Sequence, residues 1–333
     1  MSVSIDPEFV AALEPLMPRL GEAPTFPAGD ALSRRREINR RWAVGMETWP
    51  AIHDVQHSLH TATTKTKSES RDDGTEISIS IHRYVKQGAS PSKSAVVYTH
   101  GGGYFCLNVP LYHRVMETYA SQSGVQFFAV EYRSPPEHPF PAPVEDSYAA
   151  LLWLQQHAAE FGVDPARIAI MGDSAGGGIA AGVAILARDR QLQPPLAKQL
   201  ILGGMLDDRN TSRWDALAPF ASWTPDDNLT GWWAYLGRDR AAAKDNDAVS
   251  PYAAAARVET VAGLAPLYLD VPGLDIFRDE NLAYAARFAA ANINCEIHLY
   301  PSLPHSFETF APRIQTAQVA IANRVRAVRM LEA

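Results

Sequence analysis

The chain has 333 residues, 47% hydrophobic and 20% charged, which is the balance of a globular protein and excludes a disordered one. Its formal charge of −7 gives no electrostatic footprint for nucleic acid or an anionic membrane surface. Its two cysteines, Cys106 and Cys295, exclude a disulfide framework, lack metal-ligand spacing and favour a reducing compartment. The N-terminal Met1-Ser2-Val3-Ser4-Ile5-Asp6 has no basic, apolar leader pattern, and no run approaches the roughly 20 apolar residues of a membrane span. A cytoplasmic protein without a membrane span is expected.

The first fifty residues read as helical. Asp6-Pro7-Glu8 supplies an N-cap followed by proline at the first helical position. A second helical pattern, rich in arginine on one side, covers 31–49. The period then changes: 53–68 and 75–85 alternate as strands do, joined by the turn signal Arg71-Asp72-Asp73-Gly74. From Ser94 onward, short apolar runs alternate with helical patterns. Strands are expected over 95–98, 125–130, 167–171, 200–202, 266–271 and 296–300, and helices over 111–121, 147–161, 175–188 and 316–331. That alternation predicts an α/β fold with a mostly parallel sheet covered by helices on both faces.

Residues 206–247 break the rhythm. They hold four of the seven tryptophans, Trp214, Trp223, Trp232 and Trp233. An aromatic insertion between core strands predicts a cap over a site; an ordinary long crossover is the plainer alternative. The N-terminal helices have no place in the alternating core and are expected to join the cap. The expected organisation is therefore cap helices at 1–50, core at 51–205, a cap insertion at 206–247 and core again at 248–333.

Gly172-Asp173-Ser174-Ala175-Gly176 fits G-x-S-x-G between a strand and a helix. A serine at such a reversal has strained dihedrals, and neighbours without side chains let the chain turn closely. The turn lifts the hydroxyl to a helix N-terminus, where backbone N–H groups favour developing negative charge. His100-Gly101-Gly102-Gly103-Tyr104 follows the first core strand. Backbone N–H groups of such a loop, with that of Ala175 after the nucleophile, can form an oxyanion hole. No Walker lysine or G-x-G-x-x-G accompanies it, which argues against a phosphate turn. His100 is expected to brace the loop.

A serine hydroxyl needs a base, and the base needs an orienting acid. His298 lies inside a strand pattern, whereas His305 lies in the loop after it, where reactive groups gather. His305 is therefore the candidate base. For the acid, spacing favours Asp275, just beyond the strand over 266–271, and leaves Asp279 as the alternative at the next helix start.

These motifs stand in one order with Glu131-Tyr132-Arg133, Pro136-Glu137-His138-Pro139-Phe140-Pro141-Ala142, Val144-Glu145-Asp146, Leu274-Asp275-Ile276-Phe277-Arg278-Asp279-Glu280 and Pro304-His305-Ser306-Phe307. Over about 80–310 the chain resembles the hormone-sensitive-lipase-like group of α/β-hydrolases, which contains many microbial carboxylesterases. The resemblance implies an eight-stranded core sheet, a helical cap, no cofactor and a homodimer. It places Ser174, Asp275 and His305 on the family's triad positions, and the oxyanion donors on Gly102, Gly103 and Ala175. The chain departs from the family pattern at Phe105-Cys106-Leu107-Asn108, Ser134-Pro135-Pro136, Gly177-Gly178 and Ser306; none of these removes a catalytic group. The expected activity is hydrolysis of short- to medium-chain or bulky apolar carboxylic esters. A lactone, amide or formamide hydrolase with the same triad is the alternative. A non-catalytic ligand-binding relative would lack the histidine that stands here at His305.

Overall fold

A computed structural model of the chain describes residues 4–64, 76–88, 92–210, 217–239 and 249–332. The turn signal at 71–74 and Trp214 lie outside them. Eight strands form one sheet: β1 Val55–Thr64, β2 Ile77–Lys86, β3 Ala95–Thr99, β4 Gln126–Glu131, β5 Ile168–Asp173, β6 Lys198–Leu202, β7 Leu267–Pro272 and β8 Cys295–Tyr300. Their order is β1-β2-β4-β3-β5-β6-β7-β8. β2 is antiparallel to both β1 and β4, and every pairing from β4 to β8 is parallel. The mostly parallel eight-stranded α/β sheet is as expected.

The apolar runs explain the order of burial. β3 and β7 are buried at every position, so side chains pointing either way meet a covering layer. β1 and β8, the two edges, alternate between covered and exposed positions. The main helices are α1 Pro7–Leu13, α2 Ala31–Met46, α3 His113–Ser123, α4 Ala142–His157, α5 Ala175–Asp189, α6 Pro225–Leu236, α7 Arg278–Ala290 and α8 Gln315–Arg329. α4 begins five residues before the expected 147. Pro143 sits in its first turn, where a missing N–H costs nothing. Among the described residues no helix is long and apolar enough to cross a membrane.

The N-terminal helices pack against the segment carrying α6. Arg34 of α2 donates to Asp227 at 2.7 Å, and the Gly29 N–H donates to Thr230 Oγ1 at 2.9 Å. Asp30 caps α2 through the Ser33 N–H, and Thr224 caps α6 reciprocally with Asp227.

Candidate active site

β5 ends at Asp173, and α5 begins at Ala175, so Ser174 alone makes the reversal. Its φ of 54° and ψ of −124° lie outside the regions an L residue prefers. The flanking glycines are required by close approach. A Cβ on Gly172 would stand 2.2 Å from the Gly176 carbonyl oxygen, and one on Gly176 would stand 2.1 Å from that of Thr99. Backbone bonds from Ser174 N–H to Leu202 O (2.8 Å) and from Met205 N–H to Ser174 O (2.9 Å) hold the turn.

His305 and Asp275 reach Ser174 from the loops after β8 and β7. Ser174 Oγ lies 2.9 Å from His305 Nε2, and His305 Nδ1 lies 2.5 Å from Asp275 Oδ2. Asp275 Oδ1 also accepts the Phe277 N–H at 2.9 Å, which fixes its plane. The two loops are laced together by Leu274 N–H to Leu303 O at 3.0 Å. Burial pulls the His305 imidazole down, but the charge and hydrogen bond of Asp275, with Asp173 and Glu308 farther off, leave it raised above its ordinary value. Ser306, where the family pattern has glycine, adopts a left-handed φ of 52°. Asp279, the alternative acid, lies in the first turn of α7 against Arg278 at 2.8 Å. His298 stays in β8, 2.6 Å from Glu296.

The glycine loop stands opposite. Gly102 and Gly103 have φ of 114° and 57°, values that glycine adopts at little cost. No described residue accepts from their N–H groups. Ala175 is the first residue of α5, so its N–H has no partner within the helix. His100 does brace the loop. Its Nδ1–H donates to Gly101 O at 2.8 Å, its ring stacks on Tyr132, and burial lowers its pKa to about 4.

Several residues inside the quoted motifs act as supports, through partners that the motifs do not name. Asp173 Oδ1 accepts from Tyr98 OH at 2.7 Å and from the Gly101 N–H at 3.0 Å; its Oδ2 accepts from Tyr112 OH at 2.6 Å. The residue before Ser174 thus ties the elbow to the glycine loop. Burial raises its carboxyl above the usual range despite these bonds. Glu280 stands in the first turn of α7. It is buried and accepts the Leu206 N–H at 2.6 Å, fastening the chain after β6. The arginine of Glu131-Tyr132-Arg133 grips buried Asp146, and Tyr132 OH donates to His100 O at 2.7 Å.

Ser174, His305, Gly102 and Gly103 line a cavity of about 640 Å³. The N-terminal segment contributes Phe9, Leu13 and Phe26 to its walls, α2 contributes Trp42, and the segment before α6 contributes Phe220 and Trp223. Ala175 lies behind Ser174, fully buried. Among the described residues no group of three or more His, Cys, Asp or Glu side chains is disposed to hold a metal ion.

A family model described as α/β hydrolase fold matches residues 96–309. Esterase LipI of Mycobacterium tuberculosis is 33% identical over 238 residues, covering 71% of this chain and 72% of that protein. Carboxylesterase NlhH of the same species is 33% identical over 237 residues, covering 70% and 72%. Among solved structures, a bacterial heroin esterase superposes with a TM-score of 0.86 at 29% identity, covering 99% of this chain and 98% of that one.

Proposed function

The chain belongs to the α/β-hydrolase-fold family, and on that premise we propose that it is a serine carboxylesterase with Ser174 as nucleophile, His305 as base and Asp275 as orienting acid. One observation carries this reading: a hydrogen-bonded line runs from Asp275 through His305 to the Ser174 hydroxyl, at the wall of an apolar cavity. The relatives named as esterases support the reaction class.

His305 Nε2 takes the hydroxyl proton as Ser174 Oγ attacks the ester carbonyl. The oxyanion forms beside the N–H groups of Gly102, Gly103 and Ala175. The bond to the alcohol breaks as the imidazolium returns the proton to the leaving oxygen. Water then gives a proton to His305 and attacks the acyl-enzyme, and Ser174 recovers its proton as the acid departs. Asp275 holds the tautomer and offsets the imidazolium charge.

Residues 1–50 and 206–247 act as the cap on the core of 51–205 and 248–333. The cavity walls drawn from both cap segments support this division. The volume and aromatic lining suit short- to medium-chain or bulky apolar esters. Cys106 and Cys295 are unbridged, which agrees with a cytoplasmic setting. A homodimer is expected from the resemblance and is read out by light scattering.

The test is hydrolysis of p-nitrophenyl esters from acetyl to dodecanoyl, with Ser174→Ala as control. Turnover peaking at short to medium chains and vanishing in a folded Ser174→Ala protein is expected. Retained activity in that variant would sink the assignment. Labelling of Ser174 by a fluorophosphonate without turnover of any ester would redirect the search to lactones and amides.

A further inference from the structure

Three consecutive residues ahead of α6 each touch a different part of the molecule. Ser222 Oγ donates to the backbone carbonyl of His305 at 2.6 Å. The indole of Trp223 lies against Gly103, where a Cβ would stand 2.2 Å from the ring. That ring is buried, and its N–H has no acceptor among the described residues. Thr224 caps α6 through Asp227, and Asp227 accepts from the buried Arg34 of α2. Arg34 also donates to the carbonyls of Pro27 and Phe26. An unbroken line of contacts thus runs from α2, through Arg34, Asp227 and Thr224, to His305 and the glycine loop.

We propose that Ser222 and Trp223 form a strap through which the helices above the sheet set the geometry of the reacting groups. Ser222 is a positioning residue for His305, and Trp223 is one for Gly103. The strap rests on the triad reading of Ser174, His305 and Asp275. His305 needs such a restraint, because it lies outside β8, in a loop that passes into the left-handed Ser306. Asp275 fixes the ring, but the ring also moves with its own backbone. A bond to the His305 carbonyl limits that motion and so holds the Nε2 to Oγ distance. The consequence is that the cap contributes to turnover as well as to substrate fit. Ser222 stands at the cavity wall, but its hydroxyl is spent on the His305 carbonyl, so loss of that hydroxyl acts chiefly on kcat. Trp223 lines the cavity as well, so its truncation moves KM too.

The test compares wild type, Ser222→Ala and Ser222→Thr by steady-state kinetics on p-nitrophenyl butyrate and by the rate of Ser174 labelling with a fluorophosphonate. Ser222 is exposed, so truncating it spares the core. Ser222→Ala is expected to lower both kcat and labelling rate about two- to tenfold, with KM changed less than about twofold. Ser222→Thr, which keeps the hydroxyl, restores both. A Ser222→Ala protein with wild-type kcat and labelling rate overturns the strap, as does a loss that matches its unfolded fraction in a thermal melt. A wild-type protein that neither labels nor turns over esters overturns the triad reading beneath it.

Discussion

At Ser174 backbone strain and chemistry coincide. A non-glycine residue in that region costs on the order of 1–3 kcal/mol, and it persists because the surrounding glycines and backbone bonds leave no other path. The hydroxyl is thereby fixed 2.9 Å from His305 Nε2. In the proposed mechanism the neutral imidazole is the active form, and its pKa is raised. The acid limb of kcat/KM is therefore expected above pH 6.5, with activity falling as pH drops through it. Asp275→Asn removes the charge that lifts it. This substitution should move the limb to lower pH and reduce kcat on the order of 10⁴-fold through the wrong tautomer. A pH–rate profile with an unmoved limb would detach Asp275 from His305.

Among the elements, α8 does more than cover the sheet. Its Arg324 is buried and grips buried Asp270 of β7 through two bonds, at 2.7 and 2.9 Å. The same guanidinium reaches Glu308, three residues after His305, and Tyr119 OH of α3. One side chain thus joins the strand leading to Asp275 with the turn following His305. Arg324→Met strands the two carboxylates and should cost about 3–5 kcal/mol of stability in denaturant unfolding. Adding Asp270→Leu should recover part of it, because a buried pair replaced together leaves no lone charge. If Arg324→Met alone is neutral, the ion cluster does not hold these elements.

For the whole molecule, histidines away from the site set an acid limit. His82 of β2 bonds His57 of β1 at 3.0 Å, with His113 of α3 beside them. Burial first, then the neighbouring His57 and His113, lowers His82 to about 4. The unfolded chain therefore takes up this proton earlier as pH falls. Stability present above pH 6.5 is lost between 6.5 and about 4. Buried His100 acts in the same window and in the same direction. His82→Gln should flatten the stability curve between those limits, while His100 keeps a residual slope. Superimposable urea midpoints for variant and wild type across the window would exclude a contribution from His82.

The strand–helix alternation, the elbow, the glycine loop and the position of His305 were legible in the sequence, because each depends on local chemistry. Apolar runs of five or six residues make buried strands, and the glycines mark turns that a Cβ would block. Spacing alone left Asp275 and Asp279 open as acids, since both stand just beyond β7. The family resemblance favoured Asp275, and the folded chain turns Asp275 toward His305 and leaves Asp279 against Arg278. Asp173 looked like a spacer in G-x-S-x-G; its work is done with Tyr98, Tyr112 and Gly101, which lie more than sixty residues upstream. The roles of Glu280, Arg324 and Ser222 were not legible for the same reason. Their partners come from remote segments, and pairing between remote segments depends on how the layers pack, which no local pattern records.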